Sequence, residues 1–239
     1  MPLFKGLTMS IASSALAAAV LSAPSASAED IGAYLSFFAG ASIPASNAEF
    51  TNGQTVVDTD FDTGFAVGGA IGYRLNQFSF SGFTPRVELE ASYSENGVDA
   101  LNFSGNGPGA ENVVSGSKVS SLNLVTSAFI DADELFGGVV VPYVGAGAGI
   151  GFVSQDIVYN GAGVNLSDRD TAFLWHVTGG AKYAFTERAS AFADVGFRQT
   201  VGVSSLRRVG SNPAAGAGGG VFEDDLNNIV LRLGITVDF

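Results

Sequence analysis

The sequence predicts an all-β chain that closes as an eight-stranded antiparallel up-and-down transmembrane β-barrel. Three observations carry this reading. Apolar and polar residues alternate with period 2 over eight stretches of 13–15 residues. The connections between those stretches alternate between short and long. The mean hydropathy is +0.30, yet no apolar helical span follows residue 28.

The eight candidate strands lie at 31–43, 61–75, 83–95, 118–130, 139–153, 171–185, 188–200 and 227–239. They exceed the ordinary strand of about 5–6 residues. A tilted membrane strand needs about 9–11 residues for the hydrocarbon alone, which leaves room for both interfaces. In the second strand Phe65, Val67, Ile71, Tyr73 and Leu75 oppose Gly64, Gly68, Gly72 and Arg74. In the third, Val87, Leu89, Ala91 and Tyr93 oppose Arg86, Glu88, Glu90 and Ser92. The fifth lies in an apolar run from Gly137 to Val153, whose glycines recur every second residue from 145 to 151; this is a strand period and poor helix material. The sixth sets Phe173, Trp175, Val177, Ala181, Tyr183 and Phe185 against His176, Thr178 and Lys182, and the seventh Ala193, Val195 and Phe197 against Asp194, Gly196 and Arg198. The last sets Ile229, Leu231, Leu233, Ile235, Val237 and Phe239 against Asn228, Arg232, Thr236 and Asp238.

A soluble sandwich also alternates. Three features favour a barrel in lipid. The polar face combines charges of both signs with glycines, as a narrow side-chain-filled lumen requires. Aromatics gather at strand ends on the apolar face, Phe65, Tyr93, Phe173 and Trp175 at one rim and Tyr73, Phe83, Tyr183 and Phe239 at the other, which reads as two interfacial girdles. Connections 76–82, 131–138 and 186–187 are short, while 44–60, 96–117, 154–170 and 201–226 are long and polar or Gly-rich, the pattern of short periplasmic turns and long outer loops. Closure removes edges that lipid cannot hydrogen-bond.

Lys5, an apolar run from Met9 to Leu21 and the small residues Ala26, Ser27 and Ala28 form a signal peptide, residues 1–28, with cleavage expected after Ala28. The apolar run is too short for a spanning helix, which needs about 20 residues. Residues 29–239 then form one domain with 10 Lys+Arg against 23 Asp+Glu. That acidity argues against nucleic acid as a partner. Without cysteine, an exported chain must hold together by packing or by a membrane-closed sheet.

Several patterns are candidate sites. Arg74, Arg86, Glu88, Glu90, Lys182, Asp194, Arg198 and Arg232 point into the lumen from several strands, where unpaired charge is costly and a mutually neutralising network is expected. Asp58, Asp60 and Asp62 fail as an EF-hand loop, because Thr63 and Gly69 stand where Gly and Glu are needed; they read as a solvated acidic rim, as do Glu223, Asp224 and Asp225. Gly145 to Gly151 fits no nucleotide loop and reads as small inward residues beside bulky neighbours. No cofactor or metal is expected. His176, the one histidine, faces the lumen with Thr178 and no nearby acid, a poor basis for nucleophilic catalysis. The Gly/Asn/Ser-rich tracts 104–117 and 210–220 read as mobile loop tips.

Pro142 to Gly147, Asp194 to Arg198 and Leu233 to Phe239 resemble the OmpA/OmpX/opacity-type small outer-membrane barrels, also called porin-family or surface-antigen proteins. The resemblance covers essentially residues 29–239 and implies residence among the lipids of a bacterial outer membrane. It also implies that Phe239 acts as part of the signal read by the barrel-assembly machinery. A structural or surface-interaction role follows as the expectation: envelope integrity, adhesion or antigen display, with loops 44–60, 96–117, 154–170 and 201–226 available to host or matrix surfaces. The alternatives are a narrow porin-like pore for small solutes or ions and, third, a lipid-A-modifying barrel enzyme.

Overall fold

The computed structural model describes residues 32–46, 48–51, 55–105, 110–113, 116–158, 164–209, 212–213 and 221–239. The expected signal peptide and parts of the expected loop tips lie outside the described residues. Eight long strands are present among the described residues: β1 (Ala33–Pro44), β2 (Gly64–Arg74), β3 (Phe83–Gly105), β4 (Lys118–Ala132), β5 (Val140–Val158), β6 (Val164–Ala184), β7 (Ala189–Val209) and β8 (Val221–Asp238). Each pairs antiparallel with the next, and β8 returns to β1. Short strands Ala48–Thr51, Thr55–Phe61, Ala110–Asn112 and Asn212–Pro213 extend one end of the ring.

The register fixes the dimensions. A line of paired residues starting at Tyr34 runs through Gly72, Glu88, Ser127, Gly147, His176, Arg198 and Asn228 and returns to β1 at Pro44. The line closes ten residues along its own strand. An even stagger keeps every inward position inward after a full circuit. Eight strands with this stagger tilt by about 40° and give a backbone radius of about 8 Å.

Three tight connections close one end. The first holds a 3₁₀ turn at Asn76–Phe78, followed by Ser81 and Gly82 at φ 49° and 78°. The second holds Leu135–Gly138, and the third is the bend joining β6 to β7.

The opposite end departs from expectation. Segments 44–60, 96–117, 154–170 and 201–226, read as long loops, are largely strand: β3 continues to Gly105, β5 to Val158, β6 begins at Val164, β7 reaches Val209 and β8 begins at Val221. Within 104–117 and 210–220, residues Ser104, Gly105, Ala110–Asn112 and Asn212–Pro213 are also strand. The 23 residues of β3 rise roughly 55 Å along the barrel axis. An outer-membrane apolar band is about 25 Å tall. The wall therefore continues well beyond the lipid.

Two things hid this extension. First, the sense of the alternation reverses. Near the turns, Val67, Ile71, Leu89, Val144, Val195 and Leu233 are exposed on the outer surface while charged side chains face inward. In the extended half, Val98, Leu101, Val119, Val153, Ile157, Ala172, Val203 and Leu226 form a buried apolar cluster inside, with Phe61 and Val113 against it. Outside it, Asp99, Asn102, Asp156, Arg169, Thr171 and Glu223 are exposed. Second, bulges break the period. Register shifts stand at Asp60/Phe61 against β3 and at Thr200/Val203 against β8. After them the buried positions change parity, from Val98 to Leu101 and from Thr200 to Val203. Gly202 adopts φ 67°, the left-handed conformation that glycine takes without steric cost. The bulge frees backbone donors, and carboxylates accept them: Gly202 N–H donates to Asp225 Oδ1 at 2.8 Å and Ser204 N–H to Asp170 Oδ2 at 2.7 Å. Asp224 likewise accepts the Glu49 N–H. Asp224 and Asp225, read as a solvated rim, are thus acceptors for backbone donors.

The two halves should respond differently to truncation. Leu101→Ala opens a cavity in the apolar cluster and should cost about 2–4 kcal/mol, whereas Leu89→Ala on the lipid face leaves no enclosed void and should cost distinctly less. Urea unfolding from lipid vesicles measures the difference, and equal costs would contradict a packed outer core.

Candidate functional site in the barrel lumen

With a radius of about 8 Å, inward side chains from opposite walls meet. At the turn end, Arg74 Nη2 lies 3.0 Å from Asp238 Oδ1. Deeper, Asp131 is the hub of a buried group: Arg86 Nε donates to its Oδ1 at 2.8 Å and Lys182 Nζ to its Oδ2 at 2.5 Å. Arg86 also pairs with Glu88 and donates to Tyr34 Oη at 2.9 Å, and Tyr34 donates to Glu88 Oε1 at 2.7 Å. The Arg86 guanidinium lies 3.9 Å from the Phe129 ring centroid, where a cation meets the ring quadrupole.

A second group lies further along the axis. Asp194 and Arg232 are direct partners across β7 and β8, and the guanidinium binds both carboxylate oxygens, at 2.7 and 2.9 Å. Arg232 Nη1 donates to Glu90 Oε2 at 2.7 Å, and Arg198 Nη2 to Glu90 Oε1 at 2.8 Å. Arg198 also reaches Ser92 Oγ at 3.2 Å. Tyr143 joins the two groups. Its hydroxyl donates to Asp194 Oδ2 at 2.7 Å while Arg86 sits 4.8 Å from its ring centroid.

All eight inward charges named from sequence therefore meet carboxylate or guanidinium partners. That set alone held five cations and three acids. Asp131 and Asp238 supply the missing acids and bring the network to five against five. Sequence reasoning misses Asp131 by placing it in a connection; β4 carries it inward at 1% exposure. The signal was the column Asn123, Ser127 and Asp131, masked by the equally buried Val125 and Phe129 between them.

Glycines make the room. A side chain at Gly72 would collide with the Tyr34 ring, at Gly145 with the Phe129 ring, and at Gly147 with Ser127 and His176. His176 hydrogen-bonds Ser127 Oγ through Nε2 at 2.8 Å and Thr178 Oγ1 through Nδ1 at 3.0 Å. Its ring is held between hydroxyls at 2% exposure, on the inner side of the wall. The remaining space is divided. A cavity of about 20 Å³ lies among Arg86, Glu90, Lys182, Asp194 and Arg232, and one of about 40 Å³ among Asn96, Asn123, Arg198, Thr200 and Asn228. A water needs about 10–15 Å³ of such space, so each holds a few waters at most.

On the outer surface Phe65 and Tyr93 pack with ring centroids 6.0 Å apart, and Trp175 lies 5.6 Å from Phe197 while donating to Gln199 Oε1 at 2.8 Å. Tyr73, Phe83, Phe173, Tyr183 and Phe239 are exposed there. The Phe239 N–H donates to Ala33 O at 3.0 Å, at the seam where the ring closes.

Asp131→Ala should lower stability by about 3–5 kcal/mol, because Arg86 and Lys182 lose their shared carboxylate inside the wall. Asp131→Ala with Lys182→Met should recover part of the loss. Denaturant titration of the folded band on unheated gels reads both, and additive losses would argue against the pairing.

Comparison with known proteins agrees with the architecture. The profile of the outer membrane protein beta-barrel domain matches residues 13–239. The outer membrane protein OprG from Pseudomonas aeruginosa aligns at TM-score 0.58 with 13% identity, covering 90% of this chain and 99% of its own. A major outer membrane protein from Thermus thermophilus aligns at TM-score 0.52 with 15% identity, covering 87% and 99%. At such identities the likeness shows the fold alone. No curated protein sequence matches the chain. The chain belongs to the outer membrane protein beta-barrel domain family and is a bacterial outer-membrane β-barrel.

Proposed function

We propose that this barrel serves a structural and surface-interaction role, in envelope integrity, adhesion or antigen display, with its lumen acting as a rigid plug. The observation that supports it is the paired network spanning the lumen from Arg74–Asp238 to Glu90–Arg198, with an apolar cluster beyond it. A solute crossing the barrel would have to separate several buried ion pairs, each costing about 3–5 kcal/mol when one partner is lost, and then displace packed apolar side chains. On this reading the chain carries out no catalytic step. Phe239 on the closing seam is the part offered to the barrel-assembly machinery. The outer ends of 44–60, 96–117, 154–170 and 201–226 are the surfaces offered to host or matrix partners.

Planar-bilayer recording of the refolded protein tests the plug. The expected outcome is no discrete conductance step for the wild type and the appearance of steps in Glu90→Ala. Steps in the wild type that Arg232→Ala changes would instead support a narrow pore. Deleting 214–220, which leaves Val203 and Leu226 in the outer core, should abolish cell or matrix binding without unfolding the barrel.

A further inference from the structure

We propose that the outward faces of β4, β5 and β6 form a binding site for a phosphorylated lipid of the outer leaflet, with Arg169 as the phosphate ligand. The register arranges this wall in rows. Leu124, Ile150 and Phe173 form one outward row, Leu122, Phe152 and Thr171 the next, and Ser120, Ser154 and Arg169 the one after that. Successive rows stand about 6.6 Å apart along the strands. The first row is wholly apolar and exposed; the second keeps exposed Leu122 and Phe152 but ends in a hydroxyl; the third is hydroxyl and guanidinium. Tyr93 of the aromatic girdle pairs with Leu122, so the change in chemistry falls at the level of the hydrocarbon boundary. A cleft of about 350 Å³ opens on this wall, with Leu122 and Phe152 as its apolar part and Ser120, Ser154, Arg169 and Asp170 as its polar part.

Within the cleft the cation is Arg169. Its side chain is exposed and forms no ion pair among the described residues. Three of the nearby carboxylates are engaged elsewhere. Asp168 accepts the Arg169 N–H, Asp170 accepts the Thr171 and Ser204 N–H groups, and Glu95 is held by Lys118 at 2.9 Å and by Tyr93 at 2.6 Å. Asp156 stands one row further out, directly paired in register with Lys118. A free guanidinium presents a planar fork that fits phosphate oxygens, and the hydroxyls of Ser120 and Ser154 add neutral donors beside it. The apolar rows directly beneath supply the surface for acyl chains, which a soluble phosphate compound would leave unused.

Native mass spectrometry of the detergent-solubilised, folded protein tests this with diphosphoryl lipid A as the probe. The wild type should retain one lipid, and Arg169→Gln should retain at least tenfold less. Arg188→Gln, on the far turn, should match the wild type, and heat-modified gel mobility verifies that each variant is folded. Lipid A stripped of both phosphates should be retained by the wild type as poorly as the intact lipid is by Arg169→Gln, and millimolar inorganic phosphate should not displace the intact lipid. Equal retention by Arg169→Gln, equal retention of the phosphate-free lipid, or displacement by inorganic phosphate would each overturn the proposal, the last assigning the site to a soluble anion.

Discussion

Backbone hydrogen bonding in hydrocarbon is the constraint from which the rest of this molecule follows. Lipid offers no partner to a free N–H or C=O, so a sheet that crosses it must have no edges. Closing eight strands with a ten-residue stagger meets that requirement and leaves an interior only wide enough for side chains. Each inward group then has another protein group as its neighbour. An isolated charge there is costly, and among the described residues the paired network balances five cations against five acids. The glycines at 72, 145 and 147 are the complement of the same restriction, since bulky and vacant positions must alternate across a space this narrow.

Such a network does not maximise stability by itself; apolar replacements of similar shape are often as good or better. Its use here concerns passage and register. A strand apolar on both faces would be a continuous greasy segment during export, whereas alternation with Arg86, Glu88 and Glu90 keeps β3 amphipathic. Once the ring closes, pairs such as Asp194 with Arg232 join directly opposed residues of neighbouring strands, and a slip of either strand by one residue would turn its own charge outward into lipid and leave the partner charge without its counter-ion.

Much of the membrane-facing half was legible in the sequence because one rule governs it: every second residue is apolar and faces out. The last strand, from Ile229 to Phe239, shows that rule without interruption. Where other physics enters, legibility is lost. Asp131 was hidden because Phe129 and Val125 share its column, and inward aromatics are invisible to a pattern that assigns apolar residues to lipid. The extended half was hidden because water replaces lipid outside it, so the same alternation carries the opposite meaning, and bulges near Asp99 and Gly202 shift the parity midway. The duties of Asp170, Asp224 and Asp225 depend on which backbone donors the bulges and strand ends leave unsatisfied, a property of the assembled ladder. The pairing of His176 with Ser127 is likewise set by strand register, since 49 residues separate the two in sequence.

The reversal of polarity along the wall has a consequence for how the molecule meets its surroundings. Below the headgroups the barrel is held by solvent outside it; above them it carries an apolar cluster of its own inside. The distal third is in effect a small water-soluble barrel mounted on a membrane-soluble one, sharing the same staves. The strands that reach Gly105, Val158 and Val209 then form a paired wall clear of the lipid, and anything that grips this wall meets a surface whose height and orientation were settled before contact. Little ordering entropy would be left to lose on capture.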